Sequence, residues 1–345
     1  MGKMIDRNAC AERRENMSNR KWSLGLVVVV LVFGYVLIRF FASTTMVDDL
    51  IHRMEPGKAA APPAKHIVLI AQELDNPFWR EMKQGADQAA ERLGMKIDYT
   101  GPIRIDPSEQ SRLLEKAIAA KPDGILVQGL GSADYDRLIA KAIDQGIPVL
   151  TVDADEPGSR RLAYVGTDNR KAGERMGELV VGSAQGGGRI GVIIGSEFAD
   201  NQRQRLEGFR AYVSGIPGYQ VVDVRSSNIS RIGAAKKAEA MLRQHPEIGT
   251  IVGFSALDAG GILEGMKAAG REDVRVYGFD DLEATRKGIA AGDIEASIVQ
   301  EPREIGAQAI RLLDRWFRGE KLPPQHFIAT SVLVREHGQT GGTAP

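Results

Sequence analysis

The chain is almost without cysteine: of its 345 residues only Cys10 is one. No intrachain disulfide can form, and because Cys10 precedes the apolar segment described below, it cannot be the lipid-bearing first residue of a processed lipoprotein. Net charge is also missing, with 45 basic against 45 acidic residues, so nothing biases the chain toward nucleic acid or acidic lipid. Histidine is scarce too. The five histidines, at positions 52, 66, 245, 326 and 337, show neither i, i+4 nor HxxxH spacing, which leaves a metal site without support. Nothing in the sequence calls for a cofactor. Aromatic residues make up 6% of the chain, and the adjacent pair Phe78 and Trp79 stands out against that background.

Long apolar runs are missing as well, with one exception. Trp22 to Ala42, "WSLGLVVVVLVFGYVLIRFFA", carries one charge, Arg39, near its far end, where a long side chain can snorkel to the interface. It is long enough to span a bilayer. Basic residues precede it (Lys3, Arg7, Arg13, Arg14, Arg20, Lys21) and Asp48 and Asp49 follow it, so residues 1–21 are expected in the cytosol and everything later outside. A cleaved signal peptide is the rival, because the uninterrupted core from Leu24 to Ile38 is short. Around Ala42 no small-x-small pair forms, since Phe40 takes the position three before a cut there. An uncleaved signal-anchor over 22–42 is the expectation. Residues 43–65 end in "PGKAAAPPAK" and read as a spacer reaching roughly 25 to 30 Å.

From His66 onward short β-branched runs alternate with longer helical segments: "HIVLIA", "MKIDYT", "DGILVQG", "IPVLTVD", "RIGVIIG", "YQVVDV", "TIVGFS", "VRVYGF" and "EASIVQ". This alternation predicts an α/β protein with parallel sheets built from βαβ crossovers. Nine strands are too many for one core, and the pattern restarts after "AYVGTDNRKAG" with a helix from Lys171 to Ala184. Two similar lobes are expected: 66–167 with 301–328, and 168–300 with 329–337, joined by a three-crossover hinge and followed by a flexible tail, 338–345.

Open α/β sheets bind ligands beyond the carboxyl ends of their strands. The residues there are Asn76 with Phe78 and Trp79, then Asp153, Arg205, Ser255, Asp280 and Gln300. Phe78 and Trp79 fall between a strand and a helix; they are either a buried staple at the helix start or a platform for a ligand. The whole set suits a polyol. Sugar hydroxyls both donate and accept while the C–H face is apolar, so carboxylates and an Arg fork are wanted around the rim, with flat rings above and below. In that setting Phe78 and Trp79 form the platform.

At these residues the chain resembles the type I periplasmic binding proteins of the ribose-binding class, from about His66 to Arg335. The motifs are "DNPFW", "PVLTVD", "YVGTDN", "RQRLEGF", "VYGFDD" and "IVQEPREIG", in that order. The resemblance implies sugar contacts at Asn76, Phe78, Trp79, Asp153, Arg205, Asp280 and Gln300, no enzymatic activity, and hinged closure over a monosaccharide. Departures are specific: Ala154 stands where the ribose-type pattern has Arg, Ser255 and Ala256 where it has an Asn-Asp pair, and Ile229 where it has an aromatic. A pentose other than ribose, or a hexose, is therefore expected. The family implies delivery to an ABC permease; the retained apolar span also suits a sensing subunit that reports sugar occupancy to a membrane histidine kinase.

Three rival readings are weaker. "GGGRIG", Gly186 to Gly191, formally matches a dinucleotide-binding loop but precedes a strand instead of following one. Asp153 and Asp280 could serve as the carboxylates of a glycoside hydrolase, yet no apolar flank marks either for a raised pKa, and Asp155 and Asp281 read as loop solvation or helix capping. Sugar-responsive repressors share the two-lobe body, but their DNA-reading helices would have to sit where this chain has its apolar span. Trp316 and Phe317, at helical spacing with Leu312 and Leu313, read as core.

Overall fold

The computed structural model describes residues 32–39, 64–183 and 187–335. Residues 32–39 form a short helix, α1, with its apolar side chains exposed. Among the described residues no helix is long and apolar enough to cross a membrane. Most of the expected span over 22–42, with the tails 1–21 and 338–345 and nearly all of the spacer, lies outside the described residues.

The remaining chain folds into two sheets of six strands each. The first comprises β1 (Lys65–Ile70), β2 (Met95–Thr100), β3 (Gly124–Val127), β4 (Val149–Val152), β5 (Ala163–Thr167) and β11 (Gln325–Ile328), in the order β11-β5-β4-β3-β1-β2. The second comprises β6 (Gly188–Ile194), β7 (Tyr219–Ser226), β8 (Thr250–Gly253), β9 (Arg275–Phe279), β10 (Ala296–Val299) and β12 (Ser331–Val334), in the order β12-β10-β9-β8-β6-β7. The two orders are the same topology repeated. All pairings are parallel except β10 with β12.

Parallel strands must be buried on both faces, which is why β3, β4 and β8 are buried at every position and carry β-branched and aliphatic residues without alternation. On the first sheet one face packs against α2 (Pro77–Arg92) and α10 (Pro302–Phe317) through Trp79, Met82, Ile305 and Leu313. Its other face packs against α3 (Pro107–Ala120) and α4 (Ala133–Asp144) through Leu114, Ile118, Tyr135 and Ile139. The second sheet repeats this, with α5 (Asn169–Ser183) and α6 (Asp200–Ser214) on one face and α7 (Arg231–Gln244) and α8 (Asp258–Ala269) on the other. A shorter helix, α9 (Glu283–Ala291), follows β9. The chain passes between the lobes at β5 to α5, β10 to α10, and β11 to β12. The expected two-lobe α/β architecture stands, with three connections.

Several local expectations change. Phe78 and Trp79 lie in the first turn of α2, with Pro77 at its start and Asn76 capping it, and not in the preceding connection. Proline's fixed φ suits the first helical position, so the helix begins earlier than the aromatics alone suggest. The strand β5 lies inside the segment read as the restart of the pattern, and the helix after it begins at Asn169, two residues earlier than expected. Trp316 is 39% exposed, so it is not core, whereas Phe317 packs partly against the first lobe's core with Lys65 over its ring. Gly188 opens β6, as a turn leading into a strand requires.

Candidate functional site

The carboxyl ends of both sheets face one cavity of about 60 Å³. All eight residues singled out from the sequence line it: Asn76, Phe78, Trp79, Asp153, Arg205, Ser255, Asp280 and Gln300. Ile229 and Ala256, named above as departures from the ribose-type pattern, line it too, as do Gln72, Gln128, Asn201 and Gln202, which were missed. Gln128 directly follows β3, so the strand-end rule that selected Asp153 applies to it equally. Its place inside the run "GILVQG" concealed it. Asn201 and Gln202 sit at the start of α6, one turn before Arg205, where only the helix register could have revealed them.

Asp153 and Asp280 each follow a strand directly, and each adopts a left-handed backbone, φ 64° and 61°. That conformation disfavours a side chain, Asp and Asn least, and it persists because the surroundings fix it. The Asp153 amide donates to Val165 O (3.2 Å) and the Tyr164 hydroxyl donates to Asp153 O (2.8 Å). The Asp280 amide donates to Ile298 O (2.6 Å) and the Ser297 hydroxyl to Asp280 O (2.5 Å). Each aspartate is thus locked by the neighbouring strand.

Arg205 is 2% exposed. Its Nε donates to Asn169 Oδ1, Nη1 to Phe254 O and Nη2 to Gln300 Oε1, each at 2.8 Å, and its Cζ lies 3.8 Å from the centroid of the Phe279 ring. A guanidinium carries five N–H groups, so two remain beyond these three bonds. Gln300 Nε2 in turn donates to the Asp280 carboxylate (3.1 and 3.3 Å), and Thr167 Oγ1 donates to Gln300 Oε1 (2.9 Å), tying two connections of the hinge together. Asp153 accepts from Gln128 Nε2 at 2.6 Å and, from the opposite lobe, from Asn201 Nδ2 at 3.4 Å to each oxygen.

Burial raises the pKa of both cavity aspartates, Asp280 to about 6, with Arg205 acting to lower each. The flanking sequence had given no sign of this. Burial lowers the pKa of Arg205, opposed chiefly by Asp280 and Asp153. Beneath the cavity Asp258 is fully buried, accepts from the Ser255 amide (2.8 Å), and is pushed by burial up to about 6. Two cavity-lining atoms, Gln128 Oε1 and Ser255 Oγ, are buried with no hydrogen-bond partner in the protein. Unpaired buried polar atoms cost roughly 1–3 kcal/mol each, so both invite a ligand's hydroxyls.

The aromatics divide their roles. Phe78 is half-buried and meets Trp79 edge to face, ring centroids 6.1 Å apart. Trp79 is 2% exposed and belongs to the first lobe's core while it also borders the cavity. Asn76 spends its Oδ1 capping the Phe78 amide (3.0 Å) and its Nδ2 on Glu73 (3.2 Å). At Gly195, just beyond β6, a Cβ would lie 3.0 Å from both Ile229 Cγ1 and Ser255 Cβ, a tight fit between two side chains that line the cavity. Asp155 is not a solvated loop residue; it is buried, accepts from Thr151 Oγ1 (2.7 Å), and pairs with Arg161. Among the described residues no cluster of acidic, histidine or cysteine side chains could hold a metal ion.

Two parallel-sheet lobes that line a polar cavity at their strand ends, joined by three short connections, have the build of a hinged ligand-binding protein. Comparison with known proteins makes this specific. The chain belongs to the periplasmic binding protein domain family, which it matches over residues 67–321. It is similar to the ribose import binding protein of Escherichia coli K12, 24% identical over 270 residues, 78% of this chain and 90% of that one. Among solved structures it is similar to GanP, a glucose-galactose binding protein from Geobacillus stearothermophilus, at 38% identity and TM-score 0.77, covering 80% of this chain and 99% of that one. It is also similar to XylFII in a XylFII-LytSN complex, at 31% identity and TM-score 0.74, covering 79% and 99%.

Proposed function

We propose that the chain is an extracytoplasmic sugar-binding protein that closes over a monosaccharide in the interlobe cavity and presents the closed form to a membrane partner. The observation that carries this reading is the chemistry of one cavity: two carboxylates, a guanidinium with two spare N–H groups, the unpaired Gln128 Oε1 and Ser255 Oγ, and the Phe78 and Trp79 rings. Hydroxyl donors meet the carboxylates and hydroxyl acceptors meet the guanidinium, and the C–H face of a sugar lies against the rings. The binding residues are Asn76, Phe78, Trp79, Asp153, Arg205, Ser255, Asp280 and Gln300, joined by Gln128 and Asn201. Ligand contacts drawn from both lobes favour the closed form, and closure is the signal. Titration calorimetry against D-ribose, D-arabinose, D-xylose, D-allose, D-glucose and D-galactose tests the reading; no heat with any of them overturns it. Tightest binding of D-ribose would overturn the narrower preference for another pentose or a hexose.

The partner is an ABC permease in the first reading. The second, a membrane sensor histidine kinase, is favoured by two observations: the apolar segment 22–42 that could hold the protein at the membrane, and the likeness to XylFII, which is solved in complex with another protein, LytSN. Isolation from membranes with the N-terminus intact, and the identity of the integral protein that copurifies in the presence of sugar, distinguish the two. A mature protein starting near Ser43 removes the anchor.

A further inference from the structure

A second cavity, of about 330 Å³, adjoins the first. The two share Gln72, Gln128, Ala199 and Ile229, so one wall of the sugar cavity is also the floor of the larger space. Beyond that shared wall the second cavity has its own chemistry. Phe198 is 77% exposed on the segment between β6 and α6, and Ile105 and Leu130 approach from the other lobe. Ser196 and Asn228 add polar groups between these apolar surfaces. An isolated exposed phenylalanine needs no explanation, but one facing a cavity bordered by amides from both lobes and the Ser196 hydroxyl has the make-up of a carbohydrate platform.

The shared wall is also where the backbone is under strain. Asn228 and Ile229 follow one another in the left-handed region, φ 55° and 49°. For a β-branched residue that conformation is an outlier, and strain of this kind collects at binding sites. It is held by the Ile229 amide donating to Gly195 O (2.9 Å) and sets the Ile229 side chain against Gly195, between the two cavities. Gln128 faces both spaces, and its Oε1 is without a partner.

We propose that this second cavity is a subsite for a further sugar ring, so that the protein accepts a disaccharide whose other ring occupies the cavity of Asp153 and Asp280. The proposal rests on the sugar-binding reading of that first cavity. Phe198 supplies the stacking face, Ile105 and Leu130 the opposite side, and Gln128 meets the linkage region between the rings. One ring is gripped by ionic and amide groups, and the other by apolar contact and Asn228.

Calorimetry on the full chain tests it, with the monosaccharides D-glucose, D-galactose and D-xylose against the disaccharides maltose, lactose, melibiose and xylobiose. At least one disaccharide is expected to bind no more weakly than its best-bound constituent monosaccharide. Phe198→Ala, an exposed position outside the first cavity, should weaken that disaccharide roughly tenfold and leave the monosaccharide unchanged. Monosaccharide binding with no disaccharide binding overturns the subsite and spares the sugar-binding reading; no binding of either overturns both. A 4-nitrophenyl monosaccharide that outbinds every disaccharide by tenfold or more also overturns it, because the space then prefers an apolar substituent to a sugar.

Discussion

Asp153 and Asp280 occupy matching points in the two lobes: each is the first residue beyond the fourth strand of its sheet in chain order, and each has positive φ. The repeated topology brings the two carboxylates into one cavity, and the backbone carbonyl of each aspartate accepts from a hydroxyl of the adjacent strand, Tyr164 for Asp153 and Ser297 for Asp280. A fold that only had to be stable would gain nothing by burying two carboxylates near one guanidinium, since desolvating them offsets their attraction. Asp280→Asn tests this directly. Asparagine tolerates the left-handed backbone and keeps the shape, so the apo protein should be as stable at pH 7.4 as before or more so, by up to about 2–3 kcal/mol. Sugar affinity should fall at least about tenfold. Thermal melts and calorimetry on the same sample read both, and an unchanged affinity would remove Asp280 from the contact set.

The raised carboxyls also fix a pH dependence. Asp280 and Asp258 are each pushed up to about 6 by burial, against about 3.9 in the unfolded chain. A raised folded pKa means that the native state holds more protons between those values, so this contribution to stability is complete below about pH 4 and is lost as pH rises through about 6. In Asp258→Asn and Asp280→Asn that fall should shrink. Sugar binding has the opposite slope, because a hydroxyl donated to Asp280 favours the ionised form; affinity should fall below pH 6, by up to about tenfold per pH unit for one proton. Calorimetry at pH 6 in two buffers of different ionisation heat should register proton release on binding. Affinity that stays flat from pH 5 to 7 contradicts the assignment.

Phe78 and Trp79 are neighbours with separable effects. Trp79 is core as much as cavity wall, so Trp79→Ala should cost about 3–5 kcal/mol of stability. Phe78 is half-buried at the helix start, so Phe78→Ala should cost under about 1.5 kcal/mol while weakening sugar binding roughly tenfold. Urea unfolding and calorimetry distinguish them. If Phe78→Ala loses stability and keeps affinity, the ring is a staple and not a platform.

The parallel strands and their doubling were legible because burial on both faces forces continuous apolar runs such as Ile125 to Val127 and Val149 to Val152, and each run ends on the residue that faces the cleft. That rule found Asp153, Asp280 and Gln300. It passed over Gln128, whose amide continued a run already read as strand, and Asn201, whose place depends on the register of α6 and on the approach of the other lobe. The raised pKa values were hidden for the same reason: the surfaces that desolvate Asp153 and Asp280 come from distant parts of the chain, not from their sequence neighbours. Trp316 misled in the other direction, since spacing with Leu312 and Leu313 put it on the apolar side while the helix edge leaves it in solvent.

Arg205 joins these parts, and its replacement by lysine is the sharpest test of the site. Three of its N–H groups are committed to Asn169, Phe254 O and Gln300, in three different segments of the chain. A lysine ammonium keeps the charge but offers three donors from one atom on a flexible stem, so it cannot reproduce a planar fork. Arg205→Lys should therefore lose about 2–4 kcal/mol of stability as buried acceptors go unpaired, and about a hundredfold in affinity for whichever sugar binds. Arg205→Met goes further: without a positive charge nearby, Asp153 and Asp280 should be raised still more, since the Arg205 charge is the strongest influence lowering each. Any residual binding by that variant should show its pH midpoint displaced upward from the wild type's. A folded Arg205→Met protein whose affinity and pH midpoint both match the wild type would mean that the guanidinium only braces the second lobe and takes no part in holding the sugar.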